Sequence, residues 1–142
     1  MTELVYDDIP SLLSWACERI GVRRFKDDAC AFGVKRGGKI CAVIVYDCFS
    51  ECDCNIHVAS DGSRMWLTRK VLARAFAYPF IQRGMRRVTG LVPASNKAAL
   101  DFDTHIGLKV EGYCPDAMPD DDIVVLGMTR KACPYIPPEY RK

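Results

Sequence analysis

The sequence predicts a single α/β domain built on one mixed, mostly antiparallel β-sheet with helices on both faces. Apolar and polar residues alternate from residue 52 to 59, which is the period of a β-strand. Apolar residues then recur every three to four positions from residue 67 to 79, the period of an amphipathic helix. A second short strand follows at residues 87–92. A strand, a helix and a strand in this order predict parallel pairing with a right-handed crossover.

The same periods place the remaining elements. Strands are expected at residues 4–6, 29–35, 39–46, 108–113 and 123–128, and the strand at 39–46 is apolar on both faces, as in the centre of a sheet. A first helix is expected between Asp8 and Gly21, and another between Ser95 or Asn96 and Gly107. Residues 115–122 are expected to form a loop, and the tail from about residue 134 is expected to be irregular. We expect residues 1–142 to form one domain.

Bulk composition excludes several function classes. The 142 residues include 20 Lys or Arg and 18 Asp or Glu, a net charge of +2 that gives no strong attraction to nucleic acid or acidic membranes. The longest apolar run is short for a membrane span, and acidic residues precede any apolar stretch at the N-terminus. We therefore expect a cytoplasmic protein without a signal peptide.

Eight cysteines raise the alternative of a metal site or a disulfide framework. Most lie inside apolar runs, which favours reduced side chains that fill space in the core. A zinc site is one alternative, because four potential ligands lie close in sequence, namely Cys48, Cys52, Cys54 and His57. On a strand, however, His57 points to the face opposite Cys52 and Cys54, so the four groups could not converge on one ion. We expect no metal.

The junction between the strand at 52–59 and the following helix offers an anion site. The loop at residues 60–66 leads into a helix N-terminus, where free backbone N–H groups and the helix dipole favour phosphate. The side chain of Arg64 could add a charge-assisted contact. Any strand–loop–helix junction shares these features, so the purely structural alternative stays open.

The C-terminal half carries a pattern of an Asn, a small residue, Gly with a large apolar residue, Glu-Gly, and Gly-Met-x-Arg. The residues in this pattern are Asn96, Ala99, Gly107, Leu108, Glu111, Gly112, Gly127, Met128 and Arg130. With this pattern the chain resembles the GNAT superfamily of acyl-CoA-dependent N-acyltransferases over about residues 3–133. It is especially similar to short GNAT proteins of tailed bacteriophages, in which a segment like Tyr78-Pro79-Phe80 precedes Arg87-Val88-Thr89.

The resemblance implies the GNAT fold and an acetyl-CoA-dependent transfer of an acetyl group to the amine of an unknown acceptor. The pantetheine arm would lie along the fourth strand, against the backbone of Ile56, Val58 and Ala59. The family's pyrophosphate signature falls on Arg64, Leu67 and Arg69. Only Arg64 matches it, because Leu67 and Arg69 stand where the family has Gly or Ala. The resemblance also implies that Asn96 contacts the cofactor arm.

Two side chains of the fourth strand are candidates for the catalytic base. Asp53 and His57 share one face of the strand by its period of two. Several family members carry a catalytic carboxylate near the position of Asp53, and an imidazole such as that of His57 titrates near neutrality. A polar, partly wet sheet face explains both residues equally simply. The family's Tyr general acid falls on Asp103, and an ionised Asp cannot donate a proton, so the sequence names no acid.

Other functions stay open. One alternative is a GNAT-fold protein without catalysis that acts as a structural or interaction module. Association with a virion and a homodimer are also left open. Nucleic-acid binding would need a shared surface for Arg64, Arg69, Lys70, Arg74, Arg83, Arg86 and Arg87, for which a solvated helix face is the simpler explanation. Acceptor specificity is expected to depend on loops such as residues 22–28 and 114–122.

Overall fold

A computed structural model describes residues 2–142. Seven strands form one sheet in the order β1-β2-β3-β4-β5-β7-β6. The strands are β1 (Thr2–Val5), β2 (Cys30–Arg36), β3 (Lys39–Asp47), β4 (Asp53–Ser60), β5 (Arg87–Pro93), β6 (Lys109–Met118) and β7 (Asp121–Thr129). The helices are α1 (Ile9–Ile20), α2 (Arg69–Ala77) and α3 (Lys97–His105). The order of strands and helices is the predicted one.

The sheet is mixed and mostly antiparallel, as the sequence predicts. β4 and β5, which α2 connects, pair in parallel, and the other neighbouring strands pair antiparallel. β3 lies near the middle of the sheet, and its residues 41–47 are all buried. Both of its faces are therefore covered, which confirms the prediction made from its apolar character.

Helices cover both faces of the sheet. Leu12 and Ala16 of α1 pack with Val43, Val45 and Ala59 on one face. The opposite face packs against α2 and α3 and holds the larger part of the core. α1 contacts β2, β3 and β4, so this face of β5, β7 and β6 is left without a helix. That uncovered area is called the open face below.

The first helix begins and ends where its capping residues predict. Oδ1 of Asp8 accepts a hydrogen bond from the N–H of Ser11 at 3.4 Å. At the other end, Gly21 has a φ of 83° and its N–H bonds to the carbonyl of Cys17. Capping chemistry at both ends therefore explains why the predicted and observed boundaries agree.

The second helix differs from the prediction at its start. It begins at Arg69 rather than near Leu67, because Thr68 is its N-cap, and it continues beyond Ala77 as a π-helical turn, Tyr78–Gln82. Pro79 has no N–H to donate to the carbonyl of Ala75 four residues earlier. The hydroxyl of Tyr46 donates to that carbonyl instead, at 2.5 Å. A side chain of the central strand thus replaces the missing helical hydrogen bond.

The predicted loop at residues 115–122 is wrong. β6 runs on to Met118 and β7 already begins at Asp121, so the connection is a tight hairpin. The pairing is irregular between Cys114 and Met118, where Pro115 cannot donate to the ladder. β6 is an edge strand, and nine of its ten residues are exposed. Without a buried side, it lacks the alternation by which a strand is recognised in sequence.

The tail is more ordered than predicted. One 3-10 turn, Arg130–Ala132, precedes it, and a second, Pro138–Tyr140, lies within it. Between them, Cys133 and Ile136 are buried in the main core, and the Tyr135 hydroxyl donates to the carbonyl of Ile106 at 2.7 Å. The C-terminal segment therefore closes the core beside α3. None of the helices formed by residues 2–142 has the length and hydropathy of a bilayer-crossing segment.

Candidate active site

β4 and β5 pair over a short distance and then separate. Asp53, Cys54 and Asn55 pair with Arg87, Val88 and Thr89, and the parallel pairing ends there. β4 continues to Ser60 beside β3, whereas β5 continues to Pro93 beside β7. A wedge therefore opens between the two strands beyond Asn55. Its two edges carry backbone N–H and C=O groups that no neighbouring strand pairs, which is the arrangement that accepts an extended ligand as an added strand.

The predicted cofactor platform lies along this wedge. Ile56, Val58 and Ala59 all belong to the separated part of β4. The side chains of Ile56 and Val58 pack toward α2, and that of Ala59 packs toward α1. Their side chains are thus packed in the two cores on either side of the sheet. The backbone edge of β4 is the part that a ligand can contact.

His57, on the same stretch, is held by Asp47 at the end of β3. Nε2 of His57 lies 2.8 Å from Oδ1 of Asp47, and the Lys26 N–H donates to Oδ2 at 3.2 Å. Burial raises the pKa of Asp47, but the hydrogen bond and charge of His57, with the Lys26 N–H, outweigh burial and hold this pKa below its ordinary value. An ionised carboxylate only accepts hydrogen bonds, so Nε2 carries the hydrogen. Nδ1 of the neutral ring is then the basic atom.

Asp53 belongs to a different polar network on the open face. The hydroxyl of Thr89 lies 2.9 Å from both carboxylate oxygens of Asp53, and Nε of Arg87 lies 3.6 Å from one of them. Arg87 also forms a bidentate ion pair with Glu111, at 2.5 and 3.3 Å. The hydrogen bond from Arg87 holds the pKa of Glu111 below its ordinary value, despite burial, which acts in the opposite sense. The network fixes the Asp53 carboxylate against β5.

Asp53 and His57 share a face but are not brought together. They are four residues apart on an extended strand, a distance of about 13 Å. Asn55, the last paired residue of β4, lies between them. Asp53 therefore stands on the closed side of the wedge and His57 on the open side. The two candidates occupy different environments, and only His57 borders the separated strand edges.

Asp103 of α3 approaches the wedge from the opposite face of the sheet. Gly90 is the first residue of β5 beyond the paired stretch, and a Cβ at Gly90 would lie 3.1 Å from Oδ2 of Asp103. The carboxyl therefore sits at the point where the strands part. Burial raises the pKa of Asp103 to about 6, although the charge of His57 acts to lower it. The assumption that Asp103 is simply ionised does not fit this environment.

The predicted anion loop is shaped differently from a glycine loop. The N–H of Leu67 donates to the carbonyl of Arg64 at 3.0 Å, and the Thr68 N–H donates to the carbonyl of Trp66 at 2.9 Å. These donors are therefore used within the loop. Within residues 2–142, the N–H groups of Arg69 and of the residue after it bond to no acceptor in a loop, turn or cap. The first turn of α2 thus retains free donors, and the side chain of Arg69 is exposed beside them.

Aromatic packing closes the space between this loop and α3. Trp66 is buried and stacks on Phe102 of α3, with ring centroids 6.0 Å apart. The guanidinium of Arg64 lies 5.7 Å from the centroid of the same Phe102 ring. Arg64 is therefore anchored toward α3, on the side of the sheet where Asp103 lies.

Asn96 is the N-cap of α3. Its Oδ1 accepts a hydrogen bond from the N–H of Ala99 at 3.1 Å, and its side chain is exposed. This position agrees with the predicted helix start. The cap explains the residue by local structure, and a contact with a cofactor arm stays a prediction.

Three of the seven basic residues predicted as an alternative nucleic-acid surface are engaged locally. Arg74 donates to Gln82, Arg83 lies over the ring of Phe49, and Arg87 pairs with Glu111. The cysteines vary more than predicted: Cys41, Cys54 and Cys133 are buried, whereas Cys48 and Cys114 are exposed, and all eight are free thiols in residues 2–142. No group of three or more potential metal ligands converges within that range.

The sequence did not point to Asp47 as a site residue. Asp47 follows the apolar strand directly and is 4% exposed, yet only the register of β3 against β4 places it diagonally across from His57. The five residues between the two strands, 48–52, leave that register undetermined in sequence. The period of two in residues 43–47 could have shown that Asp47 shares the face of Val43 and Val45.

A cavity of about 530 Å³ opens next to this site, between α1 and the segment at residues 23–29. Its wall includes Phe25, whose ring packs against His57 with a centroid distance of 5.1 Å. The same segment supplies the Lys26 N–H that bonds to Asp47. The cavity and the His57–Asp47 pair are therefore joined by one stretch of chain.

Comparison with known proteins identifies the fold. No family model and no curated protein matches the sequence. Among solved structures, a mutant of the spermidine N-acetyltransferase SpeG from Vibrio cholerae is similar with a TM-score of 0.71 at 10% identity, over 90% of this chain and 93% of that chain. Other mutant forms of the spermidine/spermine N-acetyltransferase SpeG from the same organism give a TM-score of 0.62 at 12% identity, over 73% of this chain and 66% of theirs.

A further crystal structure, described as that of an acetyltransferase, gives a TM-score of 0.65 at 14% identity, over 75% of this chain and 62% of that chain. In this comparison and the preceding one the chain spans less than two thirds of the matched chain. At such identities the likeness shows the fold: this chain has the fold of the GNAT acetyltransferases, which confirms the expected architecture.

Proposed function

We propose that this chain is an acetyl-CoA-dependent N-acetyltransferase that moves an acetyl group to an amine. The observation that carries the proposal is the opening of the β4–β5 wedge directly beside the His57–Asp47 pair. The wedge provides a backbone edge for an extended thioester ligand, and the pair provides a base at that edge. The acetyltransferases with the same fold support this assignment.

Several groups of the chain fit acetyl-CoA, which supplies the acyl thioester. The unpaired edge at Ile56, Val58 and Ala59 would bind the pantetheine amides as a neighbouring strand does. The first turn of α2, with free N–H groups and the charges of Arg64 and Arg69, would bind the pyrophosphate. Backbone groups of β4 and α2 would thus bind the cofactor, although the glycines of the family's pyrophosphate signature are absent.

His57 has the geometry of a general base. Its Nδ1 would take a proton from the acceptor amine, and ionised Asp47 would stabilise the imidazolium that results. The amine nitrogen then forms its bond to the acyl carbon as the carbon–sulfur bond breaks. Free N–H groups of the β4 edge are available to the developing oxyanion. Asp53 is the alternative base, although Thr89 and Arg87 already engage its carboxylate.

Asp103 is suited to return the proton to the departing sulfur. It faces the parting strands from the side opposite His57, and with a pKa of about 6 a fraction of it is protonated near neutral pH. A base and an acid would thus flank the wedge from its two faces. Transfer of the Asp103 proton to the thiolate balances the proton that His57 removes from the amine.

Titration with acetyl-CoA is the direct test. We expect saturable binding by calorimetry and a rise in the unfolding midpoint, since a ligand that binds only the native state stabilises it. Desulfo-CoA should compete, whereas adenosine alone should bind far more weakly. Absence of binding at millimolar acetyl-CoA would reject the enzyme assignment.

A non-catalytic role is the second candidate. The observation that favours it is the closed loop before α2, in which Leu67 and Thr68 donate their N–H groups within the loop and Trp66 fills the space beside Phe102. A protein of this kind would keep the fold and bind no acetyl-CoA. The same titration therefore separates the two candidates.

A further inference from the structure

The cavity beside α1 has a charge imbalance. Its lining includes three cations, Arg23, Arg24 and Lys26, and two carboxylates, Glu18 and Asp27. Asp27 lies 3.8 Å from Arg24, which is neutralised by this pair. Arg23 and Lys26 have no carboxylate within 4.0 Å in residues 2–142, so the wall carries two cations without ion-pair partners.

The neighbouring carboxylates do not compensate for these cations. Glu18 lies 3.7 Å from the guanidinium of Arg19. Asp28, the next acidic residue of the segment, accepts hydrogen bonds from the backbone N–H groups of Cys48 and Phe49, at 3.0 and 2.8 Å. The Asp28 carboxylate is thus hydrogen-bonded to the loop after β3. The cavity therefore presents unmatched positive charge to a ligand.

The opposite sign prevails at the His57 end of the same site. The carboxylate of Asp47 lies against His57, whereas Asp53 stands about 13 Å away and is engaged by Thr89 and Arg87. The segment at residues 23–29 borders both regions, since Phe25 and Lys26 line the cavity and also contact the His57–Asp47 pair. A ligand that spans them meets the Asp47 carboxylate at one end and cations at the other.

We propose that the acceptor is a small amine that also carries a carboxylate or phosphate, with its amine at His57 and its anionic group at Arg23 and Lys26. The inference rests on the proposed function and adds the substrate class to it. An ammonium group would be attracted by Asp47 before it loses its proton, and the anionic group would pair with the unmatched cations of the cavity. Polyamines, which carry cations at both ends, fit this charge pattern poorly.

Matched pairs of amines test the charge requirement. Initial rates at saturating acetyl-CoA would be measured for 4-aminobutyrate against 4-aminobutyramide and for glucosamine 6-phosphate against glucosamine, with spermidine as the polycation. The first pair reports a carboxylate and the second a phosphate. We expect kcat/KM about tenfold higher for the anionic member of at least one pair, as two exposed ion pairs would give. Equal rates within both pairs, or preference for spermidine, would overturn the inference.

Charge-removing variants locate the effect. Arg23→Ala combined with Lys26→Ala should raise KM for the preferred anionic amine about tenfold and leave its uncharged partner unaffected. Lys39→Ala removes an exposed lysine at the start of β3, outside the cavity lining, and serves as the matched control. If the control and the double variant behave alike, the cavity does not bind the anionic group.

A binding measurement separates failure of this inference from failure of the proposed function. Amide shifts of residues 23–29 would be followed by NMR as 4-aminobutyrate or glucosamine 6-phosphate is added without acetyl-CoA. Saturable shifts that the double variant abolishes support the acceptor site even if no acetyl transfer occurs. If neither compound shifts these amides at millimolar concentration, the inference falls, whatever the result of the acetyl-CoA titration.

Discussion

The backbone of Gly127 passes directly beneath the guanidinium of Arg87. A Cβ at Gly127 would overlap Nη2 of Arg87 and stand 2.5 Å from Oε1 of Glu111. The ion pair between Arg87 and Glu111 therefore occupies the space that a side chain of β7 would take. Because Arg87 also reaches Thr89 and Asp53, the missing side chain on β7 helps to place a carboxylate two strands away.

Gly127→Ala should displace this ion pair rather than unfold the protein. The atoms that the new methyl group meets are the ends of two flexible side chains, so they can move, at a cost of about 1 kcal/mol. Urea denaturation would measure the loss. Gly112→Ala is the control, since a Cβ at Gly112 meets no atom within 4 Å. Equal stability of both variants would show that the pair contributes nothing.

His57→Gln should lower turnover about 10²- to 10⁴-fold while the affinity for acetyl-CoA is kept, because it removes the titratable ring that takes the amine proton. Asp47→Asn should also lower turnover, since an amide cannot stabilise the imidazolium. His105→Gln, at the exposed end of α3, is the matched control. If Asp53→Asn loses more activity than His57→Gln, the base is Asp53 instead.

Asp103→Asn should stabilise the protein at pH 8 and not at pH 4. The pKa of Asp103 is raised from 3.8 to about 6, so the folded state binds the proton more tightly than the unfolded chain does. Wild-type stability therefore falls as pH rises from about 4 to about 6, and the penalty persists above that range. The neutral amide avoids a penalty of about 1 to 3 kcal/mol.

Chemical denaturation at both pH values measures this difference. Asp101→Asn removes an exposed carboxylate from the same helix and should show no such pH dependence. A gain for Asp103→Asn that is the same at pH 4 and pH 8 would mean that ionisation is not its cause.

Asn96→Ala should cost about 1 kcal/mol of stability, because it removes the cap of α3. Asn96→Ser keeps a capping oxygen and should restore most of that loss. The pair also tests the contact that the family resemblance implies. If Asn96 binds the cofactor arm through its amide, both variants should weaken acetyl-CoA binding by calorimetry. If neither does, the residue acts as a helix cap alone.

Local sequence signals explain how far the fold could be predicted. α1 was placed correctly because Asp8 and Gly21 mark its ends, and β3 because both of its faces are apolar. β6 was cut short because an edge strand has no buried side to reveal its period, and Pro115 imitates a loop. Where a residue's neighbours along the chain determine its conformation, the sequence predicts it correctly.

The site depended on relationships that the chain does not display locally. The shared face of Asp53 and His57 follows from the period of a strand, but the point where β4 and β5 part lies between them and requires the three-dimensional sheet. The partnership of His57 with Asp47 required a strand register, and the burial of Asp103 required the packing of its own helix against β5. Each missed feature depends on contacts between distant segments.

The short pairing of β4 with β5 has a mechanical consequence. Within residues 2–142, only three residue pairs join the sheet half containing β1 to β4 to the half containing β5 to β7. Under mechanical force or during thermal fluctuation, β4 and β5 should separate along this seam before the strand pairs within either half do. Amide hydrogens of residues 56–60 that face the seam should then exchange with solvent much faster than those facing β3. A ligand bound along the wedge would bridge the two halves and slow the exchange of the same amides. Their exchange rates would therefore report both the presence of the ligand and the stability that it adds.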